Sequence, residues 1–184
     1  YYICEPHAGL QMRGQIVIES RPDITMELGN FPWLSYLLVF PLIGALWCFA
    51  FRNSLEAHKY IALSTTFFTF LISVIVFFKA GSGNGFRLVE EYEWAPNLGV
   101  SLLLGVDGLS SPLVLLTGII CPLTVVFSWH EKEKPALFFS LLLVMQTALY
   151  GVFITLDYFV FYIFWEVVLI PMFFLIAIWG GDNR

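Results

Sequence analysis

The sequence predicts an all-α membrane protein built on five transmembrane helices, and three observations predict it. Hydrophobic residues make up 59% of the chain and charged residues 12%, where a soluble domain carries about 25% charged residues. Five apolar runs are each long enough, at about 1.5 Å per helical residue, to cross a hydrocarbon core of about 30 Å. In the fifth run, Tyr158–Trp179, the only charged residue is Glu166. A carboxylate at the centre of a spanning helix costs about 2.5–3.5 kcal/mol on insertion scales, so such a residue usually lines a water-filled path or a proton relay.

The first helix is expected over Trp33–Phe51, with Pro41 inside it, and the second over Tyr60–Phe78. Neighbouring helices and local waters can satisfy the carbonyl that an internal proline frees. A longer link, Lys79–Gly108, begins Gly-Ser-Gly-Asn-Gly and carries Glu90, Glu91 and Glu93. Its end, Val-Ser-Leu-Leu-Leu-Gly-Val at 100–106, suits a small hairpin on the membrane surface. The third helix is expected over Leu109–Trp129, containing Pro122 and entered through Asp107, with Ser110 and Ser111 before Pro112 as a capping turn. The fourth is expected over Ala136–Thr155. Asp157 then caps the fifth, which contains Glu166 and Pro171.

Charge sets the expected orientation. Arg52, Lys59, Lys132, Lys134 and Arg184 fall in compact turns on one side, while Arg13, Arg21, Lys79 and Arg87 are spread through longer segments on the other. The positive-inside rule puts the first group in the cytoplasm and the N-terminus outside. The net charge of −5 is too small and scattered for a nucleic-acid partner. Cys4, Cys48 and Cys121 are too far apart to form a disulfide framework. His58, Lys59 and the run His130-Glu131-Lys132-Glu133-Lys134 are read as solvated turn residues. No Walker A loop, dinucleotide fingerprint or Fe–S cysteine cluster occurs.

Glu166 and Pro171 form the candidate site. Pro171 cannot donate to the carbonyl of Val167, which leaves an acceptor near the carboxylate where an ordered water can sit. In general, desolvation disfavours the charged form of a carboxyl and a nearby cation favours it, so a group held between the two can load and release a proton. The alternative is a carboxylate that only hydrogen-bonds a neighbouring helix.

The N-terminal residues YYICEPHAGLQMRGQIVIE differ in kind from the rest. Cys4, His7 and Met12 combine the thiolate, imidazole and thioether of a blue-copper site. Their spacing, Cys-x-x-His-x-x-x-x-Met, resembles the C-terminal copper loop of plastocyanin and halocyanin-type cupredoxins. By that resemblance Cys4 and His7 are equatorial ligands and Met12 the axial one, on a short β remnant over residues 1–25. The second histidine and most of the β-sandwich are absent, so copper is expected only where a complete cupredoxin precedes Tyr1. A membrane-tethered copper electron carrier is therefore one function considered. The chain begins without Met and stops just past a helix, so it is expected to be a fragment at both ends, with Met26 a natural start of the membrane part.

Three further motifs stand in order: FPWLSYLLVFPLIGAL at 31–46, GVDGLSSPLVLLTG at 105–118 and FYIFWEVVLIPMFFLIAIWGG at the end. Over Met26–Arg184 the sequence resembles the N-terminal third of the antiporter-like subunit 4 (M-type) of complex I and its cyanobacterial counterpart. Mrp-type cation/proton antiporters share the pattern and supply a second reading. The resemblance implies a bundle of about fourteen helices in two inverted repeats, with Glu166 as a proton-channel residue paired to a lysine on a later helix. It implies a proton-translocating subunit of a quinone oxidoreductase in a prokaryotic plasma membrane or a thylakoid. Its partners would be other complex I membrane subunits and the lipid bilayer. NAD(P)H, Fe–S centres and quinone would sit in partner subunits, with quinone met only indirectly and no cofactor in the membrane part.

Overall fold

The computed structural model describes residues 31–52, 54, 56–81, 85–95 and 100–180. Cys4, His7, Met12, Arg13, Arg21 and Arg184 lie outside the described residues, as does any β remnant at 1–25. The order is α1 (Trp33–Ala50), α2 (Ala57–Ala80), β1 (Arg87–Ala95), β2 (Val100–Val106), α3 (Ser110–Phe127), α4 (Pro135–Ile154) and α5 (Tyr158–Trp179). All five helices are long and apolar enough to span a membrane. In lipid a backbone must satisfy its own hydrogen bonds, which is why each apolar run becomes one helix from end to end. Pro41, Pro122 and Pro171 sit inside helices that continue through them.

Helices α1 to α4 close on one another: α1 packs on α2 and α4, α2 on α3, and α3 on α4. Helix α5 packs against α4 and the tip of β2, outside that ring. Two apolar clusters fill the ends of the bundle. One joins Leu34, Leu37, Ile72, Val76, Val114 and Ile154 to Leu104 and Val106 of β2. The other joins Cys48, Ala62, Val125, Phe139 and Leu143.

A polar layer lies between the clusters. The Gln146 Nε2 donates to Thr69 Oγ1 at 2.8 Å and to the Tyr150 hydroxyl at 3.4 Å. Thr66, Thr69, Thr117 and Ser140 return their hydroxyls to carbonyls of their own helices, and Ser140 also reaches Ala45 O at 3.0 Å. Lipid tails are as apolar as the helices, so close packing and such bonds must hold the bundle together. Close packing is visible at two glycines. A Cβ on Gly118 would overlap Ser73, and one on Gly151 would overlap the ring of Phe164.

The 79–108 link folds as an antiparallel hairpin, with Glu90 opposite Leu104 and Tyr92 opposite Leu102. The sequence predicts a small hairpin within 100–106, but that run is a single strand and its partner is Arg87–Ala95. The hairpin is fixed to the bundle by Glu90. Its carboxylate accepts from the backbone N–H groups of Leu34 at 2.9 Å and Ser35 at 3.0 Å, and from the Ser35 hydroxyl. Helix α1 follows Pro32 and has no cap from its own sequence, so an acid 55 residues away takes the orphan donors and meets the positive end of the helix dipole. A second tie runs from Leu156 N to Leu103 O at 2.8 Å.

Both capping expectations are met. The Asp107 Oδ1 accepts from Leu109 N at 3.1 Å and Ser110 N at 2.7 Å, while Ser110 Oγ accepts from Asp107 N. Asp157 Oδ1 accepts from Phe159 N and Val160 N at the start of α5. The solvated-turn reading holds for Glu131, whose Oε1 accepts from Lys132 N and Glu133 N on the exposed surface. It fails for His58. That ring is 2% exposed, stacks on Phe139 at 5.9 Å between centroids, and has neither nitrogen hydrogen-bonded. The reason is register: α2 starts at Ala57, so His58 continues the buried stripe of Ala62, Thr66, Thr69, Ser73 and Val76. Lys59 is also largely covered, its side chain 15% exposed, with its ammonium pairing with Glu56 at 3.7 Å and resting over Trp129.

For the charges among the described residues, the grouping by side agrees with the fold. Lys59 meets Trp129, and Trp179 Nε1 donates to Glu133 O, at the end that carries Arg52 and Lys134. Lys79 lies over Trp33 at the hairpin end.

Asp107 provides a pH test. The Ser110 backbone N–H is the main cause holding its carboxyl below the usual carboxylate range, burial opposes it, and the Ser110 hydroxyl and Leu109 N–H add to it. A depressed folded-state pKa means stability that is present above the unfolded value, about 3.9, and lost as pH falls through the folded value. Asp107→Ala should cost about 1 kcal/mol at neutral pH in thermal unfolding. The advantage of wild type over Asp107→Asn should shrink below about pH 4. Gly151→Val should cost about 1–3 kcal/mol by overpacking, and Phe164→Ala in the same chain should recover much of the loss in a double-mutant cycle.

Candidate functional site on the fifth helix

Asp157 starts α5 and Trp179 fastens its other end, donating to Glu133 O at 2.8 Å and packing edge-on against Phe138. Between these points, Val160 and Pro171 are the buried residues of the helix, and Phe164 sits against Gly151 of α4. At about 100° per residue these three fall within one narrow stripe, which sets the rotation of the helix. Glu166 then lies about 140° around the axis from Pro171, on the face turned away from α4, and is exposed.

The carboxylate has one side-chain neighbour of its own kind of chemistry. Tyr162, one turn earlier and also exposed, shares its face of the helix. Around Glu166 an open groove is lined by Leu169, Ile170, Phe173 and Phe174. Among the described residues Glu166 makes no ion pair. Pro171 is on the α4 side, and the carbonyl it frees, that of Val167, follows Glu166 directly in the chain. The helix runs on through Pro171, so the proline removes one hydrogen bond without ending the helix.

The site is therefore a carboxyl group and a tyrosine hydroxyl on one exposed face of an otherwise apolar helix. No group of three or more His, Cys, Asp or Glu side chains suited to a metal occurs among the described residues. Sequence reasoning missed two buried polar positions, Gln146 and His58. Both fall on the helical repeat of their buried stripes, the signal that could have placed them in the core.

The model of the family described as "NADH-ubiquinone oxidoreductase chain 4, amino terminus" matches residues 36–156. A protein named NAD(P)H-quinone oxidoreductase chain 4 2, from Trichodesmium erythraeum, is 40% identical over 158 residues, which is 84% of this chain and 28% of that protein. NAD(P)H-quinone oxidoreductase chain 4 from Prochlorococcus marinus strain MIT 9215 is 42% identical over 161 residues, 85% of this chain and 30% of the relative. The chain thus spans about 30% of the length of the curated relatives it matches. A chain in the structure of respiratory complex I from Thermus thermophilus with bound NADH superposes with a TM-score of 0.61 at 25% identity, over 78% of this chain and 30% of that one. A chain of the membrane-bound sulfane sulfur reductase, an archaeal respiratory membrane complex, shares the fold, with a TM-score of 0.66 at 18% identity over 77% of this chain and 29% of that one. The cupredoxin reading of Cys4, His7 and Met12, and with it a copper site, finds no support in these comparisons. With the family model covering about two thirds of its length, this chain belongs to the NADH-ubiquinone oxidoreductase chain 4 family, matching the amino-terminal part of such a subunit.

Proposed function

We propose that this chain is the N-terminal part of a proton-translocating membrane subunit of an NAD(P)H-quinone oxidoreductase, with Glu166 as a proton-transfer residue. The observation that carries the proposal is the position of Glu166. Its carboxylate sits within an otherwise apolar helix, on the face that α1 to α4 leave uncovered. A carboxylate facing lipid there is costly, so the face calls for a covering partner that supplies water or a cation. The matched stretch is 28–30% of each relative's length, and their further length is a ready source of that cover.

In this reading electrons pass from donor to quinone in partner subunits, and this chain handles only protons. It makes its contacts with other membrane subunits and the bilayer, and with quinone only indirectly. A cation brought near Glu166 favours the carboxylate; its withdrawal favours the protonated acid. The Tyr162 hydroxyl, one turn away on the same face, and the Val167 carbonyl, which Pro171 cannot serve, offer places for a water beside it. The end carrying Arg52, Lys59, Lys132 and Lys134 is assigned to the cytoplasm by the positive-inside rule, which puts the hairpin on the opposite side.

In the complete assembly, Glu166→Gln should leave subunit content and donor-to-quinone chemistry measurable in purified complex, while proton uptake into proteoliposomes falls by at least about tenfold, the lower range of a lost general acid–base group being about 100-fold. Glu166→Asp should retain part of the pumping. Normal pumping by an assembled Glu166→Gln complex would refute the role.

A further inference from the structure

At the end of the bundle opposite the hairpin, α1 stops and α4 begins beside an open pocket. It is lined by Phe49, Arg52, Lys134, Pro135, Ala136 and Leu137. Arg52 and Lys134 are both exposed, and among the described residues neither forms an ion pair. Three acids lie near this end among the described residues: Glu56 pairs with Lys59, Glu131 accepts from the backbone of Lys132 and Glu133, and exposed Glu133 forms no ion pair with Arg52 or Lys134. Two cations therefore face one pocket without a counter-ion from the described chain.

The backbone adds to the positive potential. Helix α4 starts with no acidic residue in its first turn and no side-chain cap, and Lys134 before it is held in the left-handed region at φ 44°. Pro135 contributes no N–H, so Ala136 supplies the first amide at the positive end of the α4 dipole, against the pocket. The remaining walls are apolar: Phe49, Ala136 and Leu137. The Arg52 guanidinium rests 5.7 Å from the Phe49 ring centroid, its charge left free on the outer side.

We propose that this pocket binds the phosphate of an anionic phospholipid. The phosphate sits between Arg52 and Lys134 at the start of α4, and an acyl chain runs down the apolar wall of the two spans. A doubly cationic pocket at the membrane end of two helices matches a lipid headgroup in charge and in depth. The apolar wall favours lipid over a soluble anion, which would leave that wall wet.

The test uses the full-length subunit in its purified complex, delipidated and returned to nanodiscs of phosphatidylcholine containing increasing phosphatidylglycerol. Bound phosphatidylglycerol is read by mass spectrometry after washing, and a photoreactive phosphatidylglycerol is crosslinked and mapped. Wild type should retain a phosphatidylglycerol that crosslinks at α4. Arg52→Gln with Lys134→Gln should weaken this binding roughly 30-fold, about fivefold for each cation removed, whereas Arg52→Lys with Lys134→Arg should keep it. Wild-type complex also serves alone, since inorganic phosphate at tens of millimolar should fail to displace the lipid. Equal retention by wild type and the Gln variant overturns the proposal. So does displacement by inorganic phosphate, or a pocket that crosslinks to a neighbouring protein and takes no lipid.

Discussion

A bilayer offers no partner to a bare polar group, and the whole arrangement of this protein follows from that constraint. Backbone donors close within five helices and one hairpin. The hydroxyls of Thr66, Thr69 and Thr117 return to their own helices, and Gln146 is tied to Thr69 and Tyr150 in the bundle centre. Where α1 begins at a proline and cannot cap itself, Glu90 crosses from the hairpin to do so. Asp107 and Asp157 do the same for α3 and α5 from within a few residues. Against this background two groups stand out: the buried His58 ring, whose nitrogens have no hydrogen-bond partner, and Glu166, a charge exposed on an apolar helix.

The Glu166 exception depends on packing rather than on sequence pattern alone. Gly151 lets Phe164 approach α4, and together with Val160 and Pro171 this contact fixes the rotation of α5. The rotation turns Glu166 away from the four-helix ring toward an open apolar groove. A carboxyl so placed is poised to meet other helices of a longer subunit. The proposed proton-transfer role and the small-residue contact between α4 and α5 are thus two parts of one arrangement.

Much of the fold could be read from the sequence because apolar length is a direct physical demand of the membrane. The fifth helix matches its expected limits, and the others differ by three residues or fewer at either end. The largest difference, at the start of α2, has a physical reason: Lys59 and His58 made that turn look solvated, although one lies largely covered over Trp129 and the other packs against Phe139. The apolar run at 100–106 was legible as β structure, though as a hairpin of its own rather than the single strand β2. Its partner was not, because three acids in Arg87–Ala95 resemble a loop until Glu90 is seen on the N-terminus of α1. Glu166 was legible as a lone charge, but the face it occupies was not. Helix α5 is apolar all round, so periodicity could not select the stripe that meets α4.

The most direct test is to watch the Glu166 carboxyl itself during turnover. Infrared difference spectra of the assembled complex, oxidised against reduced, report protonation of individual carboxyl groups in water and in deuterium oxide. The account predicts a deuterium-sensitive carboxylic acid band that appears or disappears with turnover and is missing in Glu166→Gln. A Glu166→Gln spectrum identical to wild type throughout the carboxyl region would contradict it.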